Sequence, residues 1–264
     1  MAQTAEAEKI LSCDPDIVIS EFEDVEKEDA LQEQLGVPVG LICNAIGGSP
    51  TEAWISRKDL EESYPEVLED WFNNPMVNQW CVEMGKINLG YPENNFANHP
   101  FAPACLFETG VATMEQFPIK GVIWYQGESN DFDIPMHEKL FGLLVDGWRR
   151  NWNNEDMPFH FVQLAGLHDR YNWAEFRDSQ RKMADAMPYC DMAVSSDVAD
   201  SLDIHPRQKK PVGERLARLS LCYDYGFDIV PCGPSIRRAV VEGDDVAVAS
   251  VVGGVELFAI ALYL

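Results

Sequence analysis

The sequence predicts a doubly wound α/β fold with a short β-rich segment at its end. Four nearly continuous apolar runs carry this prediction, at 37–44, 119–126, 158–165 and 190–197. Runs of this kind are typical of parallel strands that helices cover on both faces. A candidate helix follows each run, near 58–71, 134–150, 173–186 and 211–222. This alternation of strands and helices favours a single parallel sheet.

The composition changes at both ends of this pattern. Residues 1–34 carry eleven Asp or Glu against two lysines, which predicts an acidic arm or a solvated helix. Residues 231–264 are β-rich and are divided by "GDD" and "GG", which predicts two or three strands. This appendage is too short to form an independent sandwich, so we expect it to be incomplete. The α/β domain is therefore expected over 35–230.

Charge and composition exclude several classes of function. The chain has 264 residues, 46% of them hydrophobic, and a formal net charge of −24, which repels phosphates and anionic lipid head groups. It has no apolar run of ~18 residues and no signal-peptide pattern at its start. Its seven cysteines include no CxxC pair, so we expect mostly buried small hydrophobes. No nucleic acid, membrane, metal or cofactor is expected as a partner.

The first polar strand end is "NAIGGSPTEAW", which follows the run at 37–44. Ligands of doubly wound sheets bind at the carboxyl ends of the strands. Gly47 and Gly48 permit a tight turn whose N–H groups can face an anion. Ser49 is a possible nucleophile, but its spacing from Glu52 favours a capping box at a helix start.

The second polar strand end is "WYQGESN", which follows the run at 119–126. Ser129, Asn130 and Asp131 suit a loop that caps the next helix. Gln126 is a candidate oxyanion donor, because a side-chain amide at a strand tip can donate to developing negative charge. Glu128 is near enough in sequence to hold that amide in place.

The third strand end leads through "DVADSLDIHP" to His205. Asp203 is close enough to orient the imidazole and to stabilise its protonated form, as an acyl-transfer triad requires. Asp197 and Asp200 compete for the same role. The other histidines have no such setting and are expected to be structural or surface residues; they are His99, His137, His160 and His168.

Taken in order, "LGVPVGLICNAIGGSPTEAW", "IKGVIWYQGESN" and "DIHPRQKKPVGERLA" resemble the sialate O-acetylesterase family of SGNH-type carbohydrate esterases. The similarity covers about residues 31–240. The resemblance implies a flavodoxin-like three-layer α/β/α sandwich that removes O-acetyl groups from sialic acid or other acetylated sugars. It also implies serine chemistry without a metal or cofactor, and a periplasmic or secreted location for a full-length form.

The resemblance also assigns roles to residues. It implies that His205 is the general base and Asp203 the acid, although the wider superfamily places the acid three residues before the histidine, which leaves Asp197 and Asp200 open. It places the oxyanion hole at a glycine of the Gly47-Gly48 pair and at Gln126. Glu128 and Asn130 are expected to support that hole.

The sequence departs from the family at the nucleophile, because no Gly-Gln-Ser-Asn type motif occurs in it. We therefore expect a truncated copy without its first strand and nucleophile, with low or no activity. In a rival interpretation, residues 17–19 form a substitute strand that ends at Ser20. Acidic neighbours would oppose an oxyanion there; they are Glu21, Glu23 and Asp24.

Two further functions remain open, an inactive sugar-binding module and an acetylxylan-type esterase. Trp54 and Trp124 are candidates for stacking on a sugar ring, although tryptophans beside strands are more often core residues. The basic residues Arg207, Lys209 and Lys210 follow His205 and are candidates for attracting a sialic acid carboxylate, although such a run is more often a solvated helix entrance.

Overall fold

The computed structural model describes residues 16–20, 25–90, 98–168, 170–199, 202, 208–242, 245–252 and 255–262. The chain divides into two compact units, Met1–Leu216 and Ala217–Leu264. The division falls within the last helix and before the C-terminal strands.

The first unit contains a five-stranded sheet in which all neighbours are parallel. The sheet order β2-β1-β3-β4-β5 is the flavodoxin-like order. The expected α/β fold is thus confirmed, and each of the four predicted apolar runs contains a strand. The strands are β1 Asp16–Ser20, β2 Val39–Cys43, β3 Gly121–Trp124, β4 Phe159–Val162 and β5 Cys190–Ala193.

Strand β1 corrects the expectation that the first strand is missing. It is the second of the five strands and lies between β2 and β3, where Val18 is in register with Leu41 of β2 and with Gly121 of β3. Ser20 at its end is in register with Cys43 and Ile123. The rival interpretation of a substitute strand is therefore right about the backbone. Within the range 1–34, the described residues 16–20 complete the ladders of both neighbouring strands, and residues from Val25 onward are helical.

Six α-helices accompany the strands in the described residues. They are α1 Val25–Leu35, α2 Arg57–Ser63, α3 Gln79–Asn88, α4 Ile134–Asn151, α5 Trp173–Ala186 and α6 Lys210–Leu219. The predictions for α4, α5 and α6 are confirmed to within a few residues. The helix predicted at 58–71 ends early, because Pro65 disfavours helical backbone at Tyr64 and starts a separate 3-10 turn, Pro65–Leu68. Helix α3 was not predicted.

The core of the first unit is rich in aromatic side chains. Trp54 and Trp124 are only 1% and 3% exposed, and their rings meet edge to face at 5.9 Å. Trp148 packs against Trp124 at 6.2 Å and donates a hydrogen bond from Nε1 to the Trp54 carbonyl at 3.0 Å. Trp54 and Trp124 are therefore core residues and do not stack on a sugar.

The second unit contains a three-stranded antiparallel sheet of order β6-β7-β8. Its strands are β6 Ser235–Glu242, β7 Asp245–Val252 and β8 Val255–Leu262. Three strands separated near "GDD" and "GG" were among the expected arrangements. Across the described ranges, no helix has the length and apolar character needed to cross a bilayer.

Candidate active site

Two loops leave the carboxyl edge of the sheet on either side of β1. The loop at 44–50 follows β2, and the loop at 125–131 follows β3. Gly47 and Gly48 are exposed, and Gly48 has a φ of +77°, which favours glycine. Among the described residues, neither glycine N–H makes a backbone hydrogen bond. These two N–H groups are therefore available to an anion.

Hydrogen bonds join the two loops. The Ser129 hydroxyl donates to the Gly48 carbonyl at 2.8 Å, and Gln126 Nε2 donates to the Ser49 carbonyl at 3.0 Å. Asn78, just before α3, donates from Nδ2 to the Ser129 carbonyl at 2.9 Å. Because these bonds saturate the carbonyls behind the turn, they hold the glycine pair in one conformation.

Gln126 lies buried between the loops with its amide fully bonded. Besides Ser49, its Nε2 donates to Asn130 Oδ1 at 2.8 Å, and its Oε1 accepts from the Thr51 hydroxyl at 2.9 Å. Both amide hydrogens are thus engaged within the protein. Asn130 is therefore one of the side chains that hold this amide.

Thr51 extends the same network to a buried histidine. Asn130 Oδ1 accepts from the Thr51 N–H at 2.9 Å, and the Thr51 hydroxyl lies 2.9 Å from Gln126 Oε1 and 3.0 Å from Asn130 Oδ1. His137 Nδ1 lies 3.3 Å from the same hydroxyl. Burial lowers the pKa of His137 to about 3, so the imidazole is neutral.

Glu52 is a carboxyl group with no exposed surface, at the back of this network. Its Oε2 accepts from Asn130 Nδ2 at 2.9 Å, while Oε1 has no hydrogen-bond partner among the described residues. Burial raises the pKa of Glu52 from 4.5 to about 7, against the opposing effect of its hydrogen bonds. The carboxyl group consequently changes its charge near neutral pH.

The capping box predicted at Ser49 does not form. Pro50 occupies the N-cap position of the 3-10 turn Thr51–Trp54, and no side chain caps it. The Ser49 hydroxyl accepts instead from Trp54 Nε1 at 2.9 Å, and Glu52 points to Asn130. The capping interpretation is therefore wrong, because the buried indole and the amide need these oxygens as partners.

Gly127 fixes the shape of the second loop. Its φ is +151°, and a Cβ there would lie 2.8 Å from the Phe176 ring. We expect Gly127→Ala to lower the free energy of unfolding by about 1–3 kcal/mol, because the turn and the ring cannot both be kept. Urea denaturation measures the change.

Gly142 provides the matched control for Gly127. It lies within α4, and a Cβ at this position meets nothing within 4 Å. Gly142→Ala should raise the free energy of unfolding by about 0.5–1 kcal/mol through helix propensity. Equal effects of the two substitutions would contradict the role given to Gly127.

A third loop, after β4, is attached to the second one. Arg170 donates from Nε to Asp131 Oδ2 at 2.6 Å and from Nη2 to Asp131 Oδ1 at 3.0 Å. The same Nη2 donates to the Glu128 carbonyl at 2.6 Å, and the guanidinium lies 4.6 Å from the Trp173 ring. These paired hydrogen bonds attach the carboxyl-terminal half of the loop at 125–131 to Arg170.

The predicted base, His205, lies outside the described residues, and so do the candidate acids Asp203 and Asp200. Lys209 Nζ lies 5.3 Å from the Tyr125 ring, directly beside Gln126 in sequence.

Asp197, the third candidate acid, is paired elsewhere. Each of its carboxylate oxygens accepts from Arg215 at 2.6 Å. The hydrogen bond from Arg215 lowers the pKa of Asp197. This surface pair occupies the carboxylate that a histidine would need.

Sequence reasoning missed three residues that the fold brings to the site: Thr51, Glu52 and His137. Their partners are distant in sequence, such as Asn130, which lies 79 positions from Thr51. The spacing of Glu52 from Ser49 was visible but indicated the wrong partner. Across the described ranges, no group of three potential ligands is arranged to hold a metal ion.

The sheet order and the polar loops at its carboxyl edge define an SGNH-like α/β fold. A crystal structure of a carbohydrate acetylesterase from Xanthomonas citri superposes with a TM-score of 0.67 and 28% identity, covering 87% of this chain and 47% of that protein. The fold class expected from the sequence is therefore confirmed.

Sequence comparison gives the family. Residues 104–222 match the model of the carbohydrate esterase, sialic acid-specific acetylesterase family. The mouse sialate O-acetylesterase is 27% identical over 222 residues, and the human sialate O-acetylesterase is 26% identical over 217 residues. The chain is therefore similar to the sialate O-acetylesterase family of carbohydrate esterases. Each match covers 74% of this chain, but the chain spans only 41% of the mouse and 38% of the human protein.

Proposed function

We propose that this chain binds O-acetylated sugars and hydrolyses their acetyl esters. The observation that carries the proposal is the Gly47-Gly48 turn, whose exposed N–H groups stand at the carboxyl edge of the sheet and are held from behind by Ser129 and Gln126. Preorganised N–H donors of this kind stabilise the oxyanion of an acyl-transfer intermediate.

The general base in this proposal is His205. It takes the proton of the nucleophile during attack on the acetyl carbonyl and returns it to the departing sugar hydroxyl. Water then attacks the acetyl group on the enzyme and releases acetate. The pairing of Asp197 with Arg215 favours Asp203 or Asp200 as the acid that orients His205.

The oxyanion hole consists first of the N–H groups of Gly47 and Gly48. Gln126 joins them when its amide exchanges the bond to the Ser49 carbonyl for a bond to the oxyanion. Such an exchange lets the amide act mainly in the transition state, which is where a donor raises the rate. Asn130 keeps the other hydrogen of Gln126 engaged and limits its rotation.

The serine that best fits the nucleophile position is Ser20. It ends the interior strand β1 and is in register with the last residue of β2 and with Ile123 of β3. The acidic residues that follow it oppose negative charge on the substrate carbonyl, so we expect slow turnover.

A serine-directed fluorophosphonate tests this assignment. It should label the chain at Ser20, as located by peptide mass spectrometry, and Ser20→Ala should abolish both the label and the hydrolysis of p-nitrophenyl acetate. Ser129→Ala is unsuitable as a control because Ser129 supports the turn, so Ser63→Ala, in α2, is the matched variant. Persistent hydrolysis in Ser20→Ala would exclude Ser20 as the nucleophile.

A second candidate function is sugar binding without hydrolysis. It is favoured by the absence of a Gly-Gln-Ser-Asn type motif from the 264-residue sequence. In that case, the chain binds an acetylated sugar but releases no acetate from it. Comparing acetate release from 9-O-acetyl sialic acid and from acetylxylan separates the sialate and acetylxylan activities.

A further inference from the structure

An exposed tryptophan stands beside the glycine turn. Trp80 is 53% exposed, and a Cβ on Gly48 would lie 2.8 Å from its Cη2 atom. The indole edge therefore touches the turn, while about half of the side chain remains open to solvent. An exposed aromatic ring beside a candidate site offers a large, rigid apolar face to a ligand.

The backbone and the indole of Trp80 each have a contact that fixes their position. Asn78 Oδ1 accepts from the Trp80 backbone N–H at 2.8 Å at the start of α3, and Asn78 Nδ2 donates to the Ser129 carbonyl of the second loop. Phe101 lies behind the indole, at 5.7 Å between ring centroids and with an interplanar angle of 30°. Trp80 is thus a fixed surface rather than a mobile side chain, which reduces the entropy lost on binding.

We infer that Trp80 is the platform on which the pyranose ring of the acetylated sugar stacks. This inference rests on the proposed function, because it takes the Gly47-Gly48 turn as the place where the acetyl carbonyl binds. One face of a pyranose carries C–H groups and is apolar, whereas its hydroxyl groups lie around the edge. An indole next to the acetyl site covers that apolar face and leaves the hydroxyls solvated.

The position of Trp80 also explains why Gly48 has no side chain. A methyl group at Gly48 would collide with the indole and would displace either the platform or the turn. The same glycine thus serves both the acetyl group and the sugar ring. Substrate specificity for cyclic sugars over simple esters follows from this contact.

Kinetics with and without a sugar ring test the inference. Trp80→Ala should raise KM for 9-O-acetyl-N-acetylneuraminic acid or acetylated methyl xyloside about tenfold, with the turnover number changed less than about twofold. Hydrolysis of ethyl acetate, which lacks a ring, should be affected much less than hydrolysis of the sugar ester. Trp80→Phe keeps an aromatic face and should recover most of the affinity.

Phe117→Ala is the matched control. Phe117 is also 53% exposed, but it precedes β3 and therefore lies toward the amino edge of the sheet. Its substitution should leave KM for both kinds of substrate unchanged. A loss of ethyl acetate hydrolysis in Trp80→Ala equal to the loss for the sugar ester would overturn the platform, because Trp80 would then act through the structure of the turn.

Binding without turnover separates this inference from the proposed function. Saturation-transfer NMR with N-acetylneuraminic acid and with methyl xyloside should show contact with the wild-type chain and an affinity about tenfold weaker in Trp80→Ala. If sugar binding depends on Trp80 but no acetyl ester is hydrolysed, the role of Trp80 is supported and the proposed esterase activity is wrong. If esters are hydrolysed and Trp80→Ala leaves KM and binding unchanged, the esterase activity is supported and the role of Trp80 is wrong.

Discussion

His205→Ala should lower the turnover number for p-nitrophenyl acetate about 100- to 10,000-fold, because a serine hydroxyl at neutral pH needs a base to accept its proton. KM should change much less, since the base acts in the transition state. Added imidazole should restore part of the activity of the variant by supplying the missing base. Acetate release or absorbance of p-nitrophenolate measures each quantity.

His168→Ala is the control for this prediction. His168 is an exposed histidine that follows β4 at the same sheet edge, and nothing assigns it to the chemistry. The variant should keep wild-type turnover. If His205→Ala also retains full turnover while folding normally, His205 has a structural role and the proposed assignment of the base is wrong.

Glu52→Gln should change the pH dependence of stability by about 3 kcal/mol, the free energy that corresponds to a pKa of about 7 instead of 4.5. The folded protein holds the Glu52 proton more tightly than the unfolded chain does. The contribution of Glu52 to the free energy of unfolding therefore falls as the pH rises from 4.5 to 7 and falls no further above 7. Glutamine does not titrate, so the free energy of unfolding of the variant should rise relative to that of the wild type as the pH increases from 4.5 to 7.

The pH dependence of stability must be compared between the variant and the wild type, because the contribution of His137 to it has the opposite sign to that of Glu52. Its pKa falls from 6.5 to about 3 on folding, so its contribution to stability increases as the pH rises from 3 to 6.5. Urea denaturation of both proteins between pH 4 and pH 8 isolates the Glu52 contribution, since His137 is common to both.

Glu155→Gln, on an exposed surface, should give a curve parallel to that of the wild type over the same pH range. If the curve for Glu52→Gln were also parallel, the buried carboxyl would not change its proton affinity on folding. The activity profile gives a second check, because Glu52 reaches Gln126 only through Asn130. A changed pH profile with unchanged turnover at low pH would identify Glu52 as a positioning residue.

Much of the fold is predictable from local sequence, and the reason lies in the apolar runs. A strand covered on both faces must be apolar at nearly every position, so β2 to β5 are visible as runs without any knowledge of their neighbours. Proline and asparagine mark several helix boundaries in the same local way. Helix α3 was missed because its sequence, with Gly85 and an exposed Trp80, lacks a clear apolar stripe.

The candidate site was only partly predictable. Gly47, Gly48, Gln126 and Asn130 were found because they follow strands, and strand ends meet at one edge of a parallel sheet. Their hydrogen-bond partners were not found, since a buried donor takes whichever acceptor the fold brings to it. Ser49 shows the difficulty, because its local sequence fits a helix cap while the indole of Trp54 claims its oxygen.

The sequence by itself determined the parallel α/β class, the three polar strand ends and the family resemblance, because these depend on residue types at short spacing. Only the tertiary structure decided that Asp16–Ser20 is an interior strand of the sheet. These five residues form a strand through hydrogen bonds to β2 and β3 rather than through their own periodicity. The tertiary structure also decided that Trp54 and Trp124 are core residues and that Trp80 faces solvent, because burial depends on what packs against a side chain from distant parts of the chain.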